Sequence, residues 1–159
     1  MKRLIIFFIV IIISKTTMAQ IKTFNGAWFD INYPSNFIAK GSLKSTTSDG
    51  FESAIFKSPD NLVEFYVFSP QWNGEATDIL LKTKEKLSSS KSEINGDVET
   101  KWWTITSSDG SYSRSYQQKY NKSQNTKWII GIKYRNGSAL EKYKKEYALF
   151  KKSLKQYAD

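Results

Sequence analysis

Apolar and polar residues alternate over short stretches along most of this chain, and a period of two marks half-buried strands. Phe29, Ile31 and Tyr33 fall on one face of Trp28 to Tyr33, with Asp30 and Asn32 on the other, and Pro34 stops the run. Ile21 to Asn25 reads as a short leader to it, and Asn36 to Lys40 as a further short strand. Gly41 to Gly50 is a Gly, Ser and Thr-rich loop ending in the turn signal Asp49-Gly50. Phe51 to Lys57 and Leu62 to Phe68, joined by Ser58-Pro59-Asp60-Asn61, predict a β-hairpin. Its second strand is apolar except for Glu64, which predicts cover on both faces and a central place in the sheet. Val98 to Thr106, Tyr112 to Tyr120 and Thr126 to Arg135 follow as three strands with short turns, an antiparallel meander. Trp128, Ile130, Ile132 and Tyr134 share one face of the last. Tyr112, Arg114, Tyr116, Gln118 and Tyr120 share one face of the middle strand.

Two stretches change to a helical period. After a loop at Ser69 to Gly74, residues Ala76, Ile79, Leu80, Thr83 and Leu87 form one stripe, predicting a helix from Glu75 to about Ser89. Glu75 would sit in its first turn, where the helix dipole favours a carboxylate. Near the C-terminus, Ser138 and Glu141 match a capping box. Leu140, Tyr143, Tyr147, Phe150, Leu154 and Tyr157 then follow at helical steps, with lysines on the other sides. Strands, helix, three strands and helix together predict an α+β domain, an antiparallel sheet flanked by helices.

Several stretches resemble the PsbP/Mog1-like family. They are the opening strand Trp28 to Phe37 with its Tyr33-Pro34, the hairpin Phe51 to Ser69 with its Ser58-Pro59 turn, and the closing helix Tyr143 to Leu154 after the Trp128 to Tyr134 strand. The resemblance implies an antiparallel sheet with helices packed against it. It also implies an extrinsic, non-catalytic partner of a larger assembly, or an exported bacterial protein, and it supplies no catalytic residue.

The N-terminus changes the picture of where this domain works. Met1-Lys2-Arg3 is basic, Leu4 to Ile13 is unbroken apolar, and Thr17-Met18-Ala19 offers small residues before a cut at Gln20. That order predicts a signal peptide at residues 1–19, followed by one domain at 20–159 that is exported to a periplasm or the exterior. The apolar run is shorter than the roughly 20 residues a span requires, so no stable membrane insertion is expected once it is removed. Losing Lys2, Arg3 and Lys15 lowers the formal charge from +9 to +6. That excess fits a mildly anionic protein partner or cell-envelope component. Nucleic acid is not expected as a partner, because an exported protein rarely meets it.

The chain has no histidine and no cysteine, which removes His-based nucleophilic catalysis and the usual zinc, haem and copper ligands. Asp30, Glu52 and Glu64 are what a carboxylate-based hydrolase would have to use. Asp49, Asp60, Asp97 and Asp109 sit in turns without the spacing of a calcium loop. No catalytic residue, metal or cofactor is expected. The aromatic residues carry the binding candidates. Trp72 lies in the polar loop Gln71-Trp72-Asn73, where an exposed indole can anchor a partner or stack on a sugar, unless it folds back over the sheet edge. Tyr112, Arg114 and Tyr116 offer a second face. Surface contact with a partner is the expected function. Carbohydrate or small-ligand binding through Trp is the alternative, and a carboxylate hydrolase a further one.

Overall fold

The alternating stretches assemble into two antiparallel sheets. The computed structural model describes residues 20–157, so the segment predicted as a signal peptide, 1–19, lies outside the described residues. In chain order the elements are β1 (Ile21–Asn25), β2 (Phe29–Pro34), β3 (Ile38–Gly41), β4 (Ser53–Lys57), β5 (Val63–Phe68), a 3-10 turn (Thr77–Ile79), β6 (Glu85–Asn95), β7 (Val98–Ser107), β8 (Ser113–Asn121), β9 (Thr126–Tyr134), α1 (Gly137–Lys142), α2 (Lys144–Lys152) and β10 (Lys155–Gln156). The large sheet runs β3-β4-β5-β9-β8-β7-β6, and the small one β1-β2-β10. This is an α+β fold of antiparallel strands with two short helices.

The small sheet and α2 cover one face of the large sheet, hereafter the helix face. Phe29 and Ile31 of β2, Phe56 of β4, Phe65 and Val67 of β5, Ile130 and Ile132 of β9 and Phe150 of α2 form one buried cluster there. The rings pack edge-on or tilted, as at Phe56–Phe150 (5.2 Å) and Phe65–Phe150 (5.1 Å). The opposite face holds a second cluster of Tyr66, Phe68, Ala76, Ile105, Tyr116 and Ile129. Because β5 contributes to both clusters, its near-continuous apolar run is explained, and Glu64 meets Lys133 on β9 at 3.7 Å.

Topology explains what covers that second face. β5 lies third in the large sheet and β6 at its far edge, four strand spacings or roughly 19 Å away. Residues 69–84 must carry the chain across the face before β6 to β9 return in a four-stranded meander to β5. This crossover is where the predicted helix fails. Only Thr77–Ile79 makes a 3-10 turn, and the helical stripe's Thr83 and Leu87 are exposed. In a helix, the carbonyls of Ile79 and Leu80 would accept from amides four residues on. Here they accept from Arg114 Nη1 (2.8 Å) and Nη2 (2.9 Å) instead. The rest of the predicted helix belongs to β6, an edge strand exposed on both sides after Glu85, where no alternating apolar signal is needed.

Other boundaries differ too. Ile21 to Asn25 is not a loose leader but β1, paired along β2 from Ile21↔Pro34 to Asn25↔Asp30. The last helix is capped by Asn136, whose side chain accepts from the Ala139 amide, while Glu141 pairs with Lys144 rather than closing a box. It bends at Tyr143, where the buried ring lies edge-on to Phe37 and the hydroxyl donates to Asp60 Oδ2. It stops at Lys152, because Ser153 Oγ takes the Asn32 amide (2.9 Å) and turns the chain into β10. The Gly96-Asp97 loop between β6 and β7 has φ +58° at Gly96, as a two-residue hairpin with glycine first requires.

Gly131 on β9 sits between Tyr66 and Tyr116 in register. A Cβ there would lie 2.2 Å from the Tyr116 ring, so the glycine is what lets that ring lie over the sheet. Gly131→Ala should therefore cost about 1–3 kcal/mol by overpacking, read as a lower urea midpoint with altered near-ultraviolet dichroism. An unchanged midpoint would show that the ring moves freely.

Candidate functional site

Strand alternation aims Arg114, Tyr116 and Gln118 of β8, and Lys101, Trp103 and Ile105 of β7, at the crossover face. Arg114 is only 4% exposed, and all five of its N–H groups are used. Nε donates to Glu85 Oε1 (2.9 Å), Nη2 to Glu85 Oε2 and Leu80 O, and Nη1 to Ile79 O and the Tyr116 hydroxyl (3.0 Å). Tyr112 OH and the Lys82 amide complete the shell around Glu85. Nearby, Asp78 accepts from Tyr66 OH (2.7 Å) and Ser53 Oγ (2.7 Å). Burial and the facing Asp78 push the Tyr66 phenol far up, so it remains a donor. Two carboxylates thus pin the crossover to the sheet. The cavity of about 90 Å³ beside them has room for a few waters rather than a substrate.

The pinned crossover forms one wall of a larger groove of about 440 Å³, within the range of small-molecule sites. Trp103, Ile105 and Ile129 belong to the sheet side of its lining, with Trp103 stacked on Tyr116 at 5.2 Å. Leu80 and Leu81 of the crossover and Leu87 of β6 also line it, each 55–56% exposed. A bulge at Leu87/Ser89 sets the aim of Leu87: it opposes Ile105 on the groove side, whereas Ser89 opposes Thr104 on the other. Lys101, Lys127, Gln118 and Glu75 supply the polar groups. Lys127 Nζ donates to Gly74 O (2.8 Å), and no carboxylate pairs with it among the described residues. Burial holds this ammonium below the ordinary lysine value, with Glu75 and Glu99 pulling weakly the other way.

The sequence-predicted residues separate. Tyr112, Arg114 and Tyr116 come together, but as a buried network rather than an exposed face. Arg114 and Tyr116 are buried, which removes them as a contact surface and makes them the support of the groove. Trp72 is 41% exposed on the loop between β5 and the 3-10 turn, with Gln71 half-buried and Asn73 exposed beside it. Those three do not line the groove, although Gly74, the next residue, does. Asp30 and Glu64 also separate. Asp30, on the small sheet over the helix face, accepts from Asn25 and Tyr157, whereas Glu64 lines the cavity on the crossover face. The large sheet stands between these two carboxylates.

The sequence does not mark Lys101, Lys127 or Leu81 as groove residues, and its helical stripe places Leu80 and Leu87 on a helix instead. Lys101, Trp103 and Ile105 share strand parity, which is a usable signal. The leucines are not recoverable that way, because the crossover has no period.

Burial pushes the Glu85 carboxyl up, but the bonds from Arg114, Tyr112 and the Lys82 amide outweigh it and hold the group at about 2, below its ordinary 4.5. A depressed pKa contributes stability above the unfolded value that is lost as pH falls through the folded one. The melting temperature should therefore fall between pH 4.5 and 2, and fall less steeply in Glu85→Gln. At pH 7, Glu85→Ala should cost about 3–5 kcal/mol, because Arg114 is left buried without its partner. Equal pH slopes for the two proteins would contradict this account.

No family model matches the chain, and no curated protein does. Among solved structures, the solution structure of cyanobacterial PsbP from Synechocystis is similar at a TM-score of 0.48 and 9% identity, covering 90% of this chain and 96% of that one.

Proposed function

We propose that this protein is an exported, non-catalytic binding domain of the PsbP-like kind, acting by surface contact through the groove on the crossover face. The partner is a protein or cell-envelope component that offers an apolar element and mild negative charge. One observation carries this reading: three leucines, each more than half exposed, surround a groove that also presents two lysines. Water-facing leucines cost free energy, and a clustered set of them marks a contact site. The carboxylates of the buried Glu85 and the half-buried Asp78 favour a binding role over hydrolysis, since both are tied into structural bonds. Export rests on the residues 1–19, and the PsbP-like kinship on the Trp28–Phe37 and Phe51–Ser69 stretches.

The anionic dye 8-anilinonaphthalene-1-sulfonate tests whether the groove is open in the native state. Its fluorescence should rise with folded protein and fall at least fivefold in Leu81→Asp, whose exposed position leaves the melting temperature nearly unchanged. Equal fluorescence in both proteins would place the dye elsewhere and remove the groove as the working surface.

The exposed Trp72 favours a second reading, carbohydrate or small-ligand stacking on that indole beside Gln71 and Asn73. Trp72→Ala should then abolish glycan-induced fluorescence changes without shifting the melting temperature. No response to any glycan in the unmodified protein would discard it.

A further inference from the structure

We infer that the groove takes a single-chain amphiphile with a carboxylate head, the head seated on Lys127 beside Gly74 and the chain laid along Leu80, Leu81, Leu87 and Trp103. This rests on the groove being the working surface, and it names what occupies it.

The lining is asymmetric in the way such a molecule requires. Aliphatic side chains from the crossover and from β6 meet an aromatic and aliphatic side of the sheet, with no charged group among Leu80, Leu81, Leu87, Trp103, Ile105 and Ile129. Lys127 and Lys101 add positive charge to this lining, against the single carboxylate of Glu75. An ammonium offers three donors, and Lys127 uses one of them, on the Gly74 carbonyl. That ammonium is partly desolvated and carries no ion pair among the described residues, so a carboxylate in the groove would complement it. A cationic head would meet two lysines. A neutral head would leave the half-buried charge of Lys127 as it is. The volume of about 440 Å³ suits one short chain rather than a folded partner's helix.

The test is titration of the protein, followed by calorimetry, with decanoate below its micelle concentration, 1-decanol and decyltrimethylammonium. Decanoate should bind at least tenfold more tightly than the alcohol, because its head makes a charge-assisted bond, and the cation should not bind. Lys127→Met should bring decanoate down to the level of the alcohol, and Lys127→Arg should keep the difference. The Lys127 ammonium, followed by NMR, should titrate at higher pH with decanoate bound. Leu81→Asp should weaken the carboxylate and the alcohol alike.

Equal binding of decanoate and decanol, both lost in Leu81→Asp, would overturn the head assignment while leaving the groove intact. No binding of any of the three, with the dye response still lost in Leu81→Asp, would overturn the occupant and not the groove. Failure of both dye and decanoate would remove the groove itself. Binding to phosphatidylglycerol vesicles in place of monomeric decanoate would assign the lysines to a membrane surface and overturn the proposal.

Discussion

Arg114 is the constraint on which the groove side of this molecule depends. A guanidinium buried in a sheet face cannot lose its charge, so each of its donors has to find an acceptor. Glu85 takes two of those bonds, and a Tyr116 hydroxyl one. The remaining two go to backbone carbonyls of the crossover, which must stay out of a helix to offer them. The irregular crossover is thus held in place by polar satisfaction more than by apolar burial. Its leucines, freed from a core role, are left facing water along the groove. The Trp103–Tyr116 stack and the Gly131 opening beneath Tyr116 are parts of the same arrangement.

How much of this can be read from the sequence depends on how an element is buried. β2, β8 and β9 are legible because each has a covered face that the two-residue period records, and β5 because its apolar run is nearly unbroken. β5 could also be placed centrally, since neither of its faces is free. β6 left no such record. After Glu85 it is an edge strand exposed on both sides, and its serines and lysines carry no pattern. The sequence places Asp97 in a turn but gives no sign of the strand leading into it. Ala76, Ile79 and Leu80 imitated a helical stripe because a crossover that touches the sheet at intervals also spaces its apolar contacts. The aromatic–basic face of β8 was recognised as a face, but its burial was not foreseen. The covering partner, Glu85, lies far away in sequence and was assigned to a helix.

β9 joins core to site by parity alone. Ile130 and Ile132 enter the main core, Ile129 the second cluster, and Lys127 the groove. Lys127 and Trp128 are neighbours in sequence and line different pockets on opposite faces. The strand that joins β5 to β8 therefore also fixes Lys127 in the groove. A loop-borne lysine would be held less rigidly.

The bulge at Leu87/Ser89 has a consequence for how such a site changes over evolutionary time. Leu87 opposes Ile105 on the groove side and Lys91 lies over the Trp102 ring on the other face, with Ser88 the extra residue between the two paired runs. Loss of that one codon would close the bulge and still leave Leu87 opposite Ile105 and Ser89 opposite Thr104. A paired edge strand thus holds a point where the chain can shorten by one residue without exchanging its two faces, a tolerance ordinarily confined to loop tips.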